Sequence, residues 1–261
     1  MNRIARPALA ILSLAVAAPA CVAATCEAGS GERVLPLVEL YTAEGCNECP
    51  PADRWFSTLA STAPEVALLA FHVDYWDDFG WPDRFAAPVH GQRQELRARL
   101  AKKNVTYTPQ VMVGRDVRVK WRDSSRLQAT LERARARPAS ISLSLEVADA
   151  GDSLRVGVDA QRLRGDGAEP LLVWLALYQD GLQSRIDAGE NQGVVLDHDR
   201  VVRALAGPWR MDAASLSDEV EIRWPSMSQT ARMGLVLFAE SARTGEGMQA
   251  LAMPLDGCAG D

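Results

Sequence analysis

Apolar and polar positions follow two different rhythms along this chain, and the change falls at Pro138. Before it, short apolar runs alternate with helical periodicity. Residues 34–41, Val-Leu-Pro-Leu-Val-Glu-Leu-Tyr, have the length and composition of a strand. Ala52, Trp55, Phe56, Leu59, Ala60 and Ala63 then recur at helical spacing behind Pro50-Pro51. Proline suits a first helical turn, where its missing N–H costs no bond. Residues 66–73 form a second apolar run, the pattern of a buried parallel strand. An aromatic, acidic loop over 74–84 separates it from a charged helical stretch at 89–102, and the charged residues over 93–103 read as a solvated helix face. Residues 109–113 and 117–121 flank Gly114-Arg115-Asp116 as a hairpin would. Leu127 and Leu131 mark an amphipathic helix over 125–137. The predicted order is β-α-β-α-β-β-α.

After Pro138 the period shortens to two. Residues 141–147 and 154–158 alternate cleanly, and 171–178, 220–224 and 233–239 are further strand-like runs. Turn signals at 149–152 and 165–167 separate some of them. This predicts a mostly antiparallel, sandwich-like all-β domain over 139–256, following an α/β domain over 34–137.

The first residues carry a targeting pattern. Arg3 and Arg6 precede an apolar stretch from Ala8 to Ala18, and Ala-x-Ala-like sites end at Ala20 or Ala24. Residues 1–24 therefore read as a cleaved signal peptide, which places the mature protein in the periplasm or outside the cell. The alternative is lipid anchoring at Cys21, although Ala18 stands where a large aliphatic residue is usual. The apolar run is shorter than the roughly 20 residues that span a bilayer. No later segment spans either, so a soluble mature protein is expected. A net charge of −6 and a pI near 5.2 argue against a nucleic-acid footprint.

Export makes the cysteine count informative. Of five cysteines, cleavage after Ala24 leaves four, an even number for an oxidising compartment. Cys46 and Cys49 form a close pair, which leaves Cys26 and Cys258 to tie the chain ends as a structural disulfide. A zinc site needs four ligands. His72, His90 and His198 are scattered and there is no second close cysteine pair, so neither a metal nor a cofactor is expected. A Cys-x-x-Cys between strand and helix fits redox chemistry better. Cys46, nearest the helix N-terminus, would be the nucleophile, and Cys49 the thiol that resolves a mixed disulfide. An inert disulfide at the same place is the alternative.

This arrangement resembles the thioredoxin-like superfamily over residues 34–137. More narrowly, residues 39–46, Cys49-Pro-Pro-Ala-Asp53, residues 71–76, Tyr107-Thr-Pro-Gln110 and Gly189-Glu-Asn191 resemble a family of secreted bacterial proteins of unknown function. The resemblance implies a thioredoxin-like domain followed by a C-terminal β domain. It implies a cis-proline at Thr108-Pro109 and a buried acid beneath the disulfide, a proton-transfer role for which Glu39 is the candidate. It departs from thioredoxin in having Gly45 before the first cysteine, Asn47-Glu48 between the two, and Pro50 after the second. Negative charge at Glu44 and Glu48 predicts a less acidic Cys46 than in strong disulfide oxidants, favouring reduction or isomerisation.

In an open parallel sheet, ligands bind beyond the carboxyl ends of the strands. Tyr75, Trp76 and Trp81, with Phe79 and Thr108, would then form a lip for a protein substrate. His72 reads as a satisfied core histidine, and the polar residues at 189–193 and 197–199 as turn chemistry. The function expected is an exported thiol–disulfide oxidoreductase or isomerase. It would act on exported protein thiols or disulfides with a redox partner that the sequence does not name. The alternatives are a Cu(I)-handling protein using the two thiols, with His72 nearby, and a non-catalytic binding module with a structural disulfide.

Overall fold

The apolar runs become the central strands, and their neighbours wrap them from both sides. The computed structural model describes residues 25–163, 169–223, 232–256 and 258. The expected signal segment with Cys21, the turn at 165–167 and Trp224 lie outside the described residues. In chain order the elements are β1 (Thr25–Gly29), β2 (Leu37–Thr42), α1 (Pro50–Thr62), β3 (Ala67–His72), a 3-10 turn (Asp74–Phe79), α2 (Pro88–Leu100), β4 (Gln110–Val113) and α3 (Ser124–Arg135). Then come β5 (Ile141–Asp149), β6 (Ser153–Arg162), β7 (Leu171–Gln179), β8 (Leu182–Arg185), β9 (Val195–His198), β10 (Val201–Met211), β11 (Ser215–Arg223), β12 (Met233–Ser241) and β13 (Gly247–Pro254).

The fold is a thioredoxin-like α/β layer joined to a mostly antiparallel β sandwich. One seven-stranded sheet, in the order β13-β12-β7-β10-β3-β2-β4, runs through both. β2 and β3 are parallel, and β4 closes that edge antiparallel to β2. The two halves of the sheet meet where Val201 on β10 pairs with Ala70 on β3. A second sheet, β1-β5-β6-β11, stacks on the β13-β12-β7-β10 half. Alternate residues Ile141, Leu143, Leu145 and Val147 of β5 face Leu171, Val173, Leu175 and Leu177 of β7 across that core. On the α/β half, Val38 and Leu40 of β2 pack with Ala52 and Phe56 of α1 and Leu127 and Leu131 of α3. β1 was not apparent from its sequence. It pairs with β5 and carries Cys26, which is joined to Cys258 by a disulfide.

Two expectations need correction. The predicted hairpin has one regular strand, β4. Asp116 bridges Val113 across the turn, but residues 117–121 return beside β4 with one backbone bond, Val119 N to Val111 O, and one from the Gln110 side chain to Val117 O, and Trp121 packs tilted against Trp55. The solvated face predicted for residues 93–103 is also incorrect in part. Arg93 and Arg97 on α2 are buried, because Glu39 of β2 and Glu240 of β12 pair with both of them.

Candidate functional site

Cys46 and Cys49 are joined by a disulfide in the turn between β2 and α1. The turn closes on itself through Cys46 N to Ala43 O and Cys49 N to Cys46 O, each 3.2 Å. Cys49 is the N-cap of α1, so Cys46 lies three residues before the cap rather than in the first turn of the helix. A helix start ordinarily presents several unsatisfied N–H groups. Here Pro50 and Pro51 carry none, and the amides of Ala52 and Asp53 both go to Cys49 O. Little of the usual helix-terminus stabilisation is left for a Cys46 thiolate.

Both half-cystines are buried, Cys46 at 1% exposure and Cys49 at 0%. They sit in an apolar cluster with Tyr41, Ala43, Phe71 and Val73, against which Trp76 packs. Trp76 Nε1 donates to Thr108 Oγ1 at 2.7 Å, which ties the aromatic loop to the cis Thr108–Pro109 segment. From the β half, Asn191 Nδ2 donates to Glu44 O at 2.7 Å and to Cys46 O at 3.0 Å. Glu190 Oε2 accepts from Asn47 N at 3.3 Å.

Behind the turn lies a layer of buried titratable groups. His72 Nδ1 and Asp83 Oδ2 are 2.6 Å apart, and the same oxygen accepts from Glu44 N at 2.9 Å. Glu44, read as a flanking surface charge, is itself buried and takes a hydrogen bond from Trp81 Nε1 at 2.7 Å. His198 Nε2 lies 3.4 Å from Glu44 Oε1, and the His72 and His198 rings are 4.9 Å apart, edge to face. Asp53 is buried one helical turn beyond Cys49 and accepts from Thr42 Oγ1 at 2.8 Å. With His72 and His198 it lines a small internal void.

These surroundings shift the titration of the buried groups. Burial pushes the Asp53 carboxyl above its ordinary value, although the nearby imidazoles oppose this. Burial works against ionisation of Asp83 too, but the His72 imidazole outweighs it and holds the acid at about 2. His72 is correspondingly raised, burial being overcome by Asp83. His90 bonds through Nδ1 to His72 O, and burial lowers it to about 4.

Each shifted group makes stability depend on pH over its own range. The Asp83 contribution to stability is present above its ordinary value of 3.8 and is lost as pH falls towards 2. The His72 contribution is full below 6.5 and is lost as pH rises through the higher folded value. Asp83→Asn is therefore expected to lower the His72 pKa. Its stability cost should be greatest between those two ordinary values and should shrink above neutrality. Imidazole titration by NMR, with urea unfolding at several pH values, checks both. An unmoved His72 titration would contradict the pairing.

The structure thus brings Cys46, Cys49, Trp76 and Thr108 into one neighbourhood. Trp81 reaches it through Glu44, while Tyr75 lies at the rim with its hydroxyl on Gln94 Oε1. Glu39 is committed elsewhere: Arg93 Nε donates to it at 2.7 Å and Arg97 Nε at 3.0 Å. Asn191, His198, Asp53 and the buried role of Glu44 were not singled out from the sequence as site residues. The Gly189-Glu-Asn191 motif was the available signal for the first. Its spatial partner lies some 145 residues away, so no local pattern pointed to it. Among the described residues no group of three or more His, Cys, Asp or Glu is placed to hold a metal ion. Nor is any helix among them long and apolar enough to cross a membrane.

Comparison with solved structures finds the same fold twice. A crystal structure of an Agrobacterium tumefaciens protein matches with a TM-score of 0.61 at 21% identity, over 86% of this chain and 96% of that one. HBP35 of Porphyromonas gingivalis matches with a TM-score of 0.64 at 13% identity, over 87% of this chain and 77% of that one. At such identities the likeness carries the fold alone. Comparison with curated proteins finds no match. Residues 37–240, which include the disulfide turn, Asp53, Trp76, Thr108 and Asn191, match the family described as protein of unknown function DUF1223, and the chain belongs to that family.

Proposed function

We propose that this protein is a thiol–disulfide oxidoreductase of the thioredoxin-like type, working on exported proteins in an oxidising compartment. The observation that carries the reading is the Cys46–Cys49 disulfide in a strand-to-helix turn, with a buried acid on the helix behind it. Cys49 and Asp53 are four residues apart, a spacing that puts side chains on one helix face. Asp53, a buried carboxyl whose hold on a proton is raised by burial, suits proton transfer at Cys49, the role the thioredoxin resemblance suggested for Glu39. The two disulfides fit a compartment outside the cytoplasm, as does the expected signal segment.

In the reduced protein the Cys46 thiolate attacks one sulfur of a substrate disulfide, and the other leaves as a thiolate. Cys49, having given up its proton, then attacks Cys46 Sγ. This releases the second substrate thiol and restores the Cys46–Cys49 disulfide. A dithiol reductant returns two electrons and two protons for the next cycle. With little helix-terminus stabilisation of the thiolate, the disulfide form is favoured, so the pair donates electrons rather than withdrawing them. The substrate face would be the aromatic rim: Phe79 is 65% exposed and Tyr75 40%, beside Trp76 and Thr108.

A second reading, a binding module with a structural disulfide, draws support from the burial of both half-cystines. Turnover separates the two. The native protein should accelerate insulin reduction by dithiothreitol, and Cys46→Ser should abolish that acceleration. Equal, background rates for both would sink the oxidoreductase reading.

A further inference from the structure

The turn that holds the disulfide is gripped by a separate piece of the chain. β8 and β9 pair with each other and form their own two-stranded sheet, an arm projecting between β7 and β10. Its neck is built for a sharp exit. Gly181 and Arg200 take positive φ values of 70° and 59°. Gly181 N donates to Asp199 Oδ1 at 2.9 Å, and Arg200 N to Asp180 Oδ1 at 2.7 Å. The tip, residues 186–194, folds back through Gly193 N to Ile186 O and Val194 N to Asn191 O. This presents the Asn191 amide to the disulfide turn. Gly189 seats beside Trp81, where a Cβ would come within 3.2 Å of the Trp81 Cβ.

We infer that Asn191 is a positioning residue that latches the disulfide turn to this arm, and that exchange at Cys46 proceeds when the latch opens. The Asn191 side chain is buried, and its one amide group bridges the carbonyls on either side of Gly45. Glu190 holds the next amide along, at Asn47, and His198 on β9 backs Glu44. These contacts of the arm with residues 44–47 fix the backbone and flank of Cys46. An incoming sulfur must approach along the S–S axis, and a half-cystine buried by this turn offers no such path until the turn moves. The biological meaning of the latch rests on the oxidoreductase reading. Its chemical consequence, protection of the disulfide, does not.

The test is the rate at which dithiothreitol reduces Cys46–Cys49 in the folded full chain, followed by thiol labelling and mass spectrometry. Asn191→Ala should speed reduction about tenfold or more, the scale of one to two lost hydrogen bonds. Glu190→Ala, at an exposed position that leaves the fold intact, should give a smaller acceleration in the same direction. Gln249→Ala serves as a control for general loosening, since Gln249 is buried on β13 and bonds Leu35 N, Gly31 O and Arg33 O. It should leave the rate unchanged. Rates within twofold of native for both arm variants, or equal acceleration by Gln249→Ala, would overturn the latch. Insulin turnover is scored separately: acceleration by Asn191→Ala without turnover in any variant keeps the latch and removes the oxidoreductase reading.

Discussion

Arg93→Ala is expected to destabilise the protein by about 3–5 kcal/mol, the usual cost of removing one partner from a buried charge network. Arg93 is 1% exposed and its guanidinium is fully engaged. It donates to Glu39 Oε1 at 2.7 Å and to the two oxygens of Glu240 at 3.1 and 3.2 Å. It also lies over Trp174 and Phe238, 4.8 and 4.7 Å from their ring centroids. Alanine would leave Arg97 as the one cation facing two buried carboxylates, with Tyr41 and Trp174 as their neutral donors, and open a space among the aromatic rings. Glu39 belongs to β2 and Glu240 to β12, so the network ties the α/β half to the sandwich half.

Burial opposes ionisation of Glu240, but Arg93 and Arg97 outweigh it and hold the acid below its ordinary value of 4.5. Its contribution is present above that value and is lost as pH falls through the lower folded value. Urea unfolding at neutral pH measures the effect. A loss below about 1 kcal/mol, typical of an exposed pair, would show that the network is not holding the halves together.

The double variant Cys26→Ser, Cys258→Ser should cost about as much by a different route. The bridged residues are 232 apart in sequence. Closing a loop that long removes unfolded-state entropy worth about 5 kcal/mol on the chain-entropy account. For a chain of this size that corresponds to a fall of roughly 10–20 °C in Tm. The bridge joins β1, an edge strand of the second sheet, to the segment just after β13. Loss of it should therefore loosen β1 first. Hydrogen exchange of the double variant should show Glu27 and Ala28 losing protection ahead of β5. A Tm shift of only a degree or two would contradict the estimate.

The two folding rhythms were legible because burial imposes them. β2 and β3 are buried along nearly their whole length and read as continuous apolar runs, while β5 and β6 face solvent on one side and alternate. The disulfide turn was legible because Cys-x-x-Cys and Pro-Pro are local signals. What the sequence hid depends on contacts between distant residues. Arg93 and Arg97 carry the same charge as the exposed Arg99 on the same helix, and only Glu39 and Glu240 make the first two buried. Asn191 resembles any turn asparagine until the arm delivers it to Cys46 O. Glu44 reads as a surface charge until Trp81 and His198 close over it. β1 is five residues with no strong pattern, defined by β5 beside it.

We propose that Cys46–Cys49 is a working redox couple that favours electron donation. Its reduction potential, measured by equilibration in dithiothreitol buffers with thiol trapping, decides between that and an inert bond. A pair with a poorly stabilised Cys46 thiolate should lie near that of reducing thioredoxins, at about −240 to −290 mV. A value below about −300 mV would mark the bond as structural, and one near −120 mV would mark an oxidant. Either result would rule out an electron-donating couple at Cys46–Cys49.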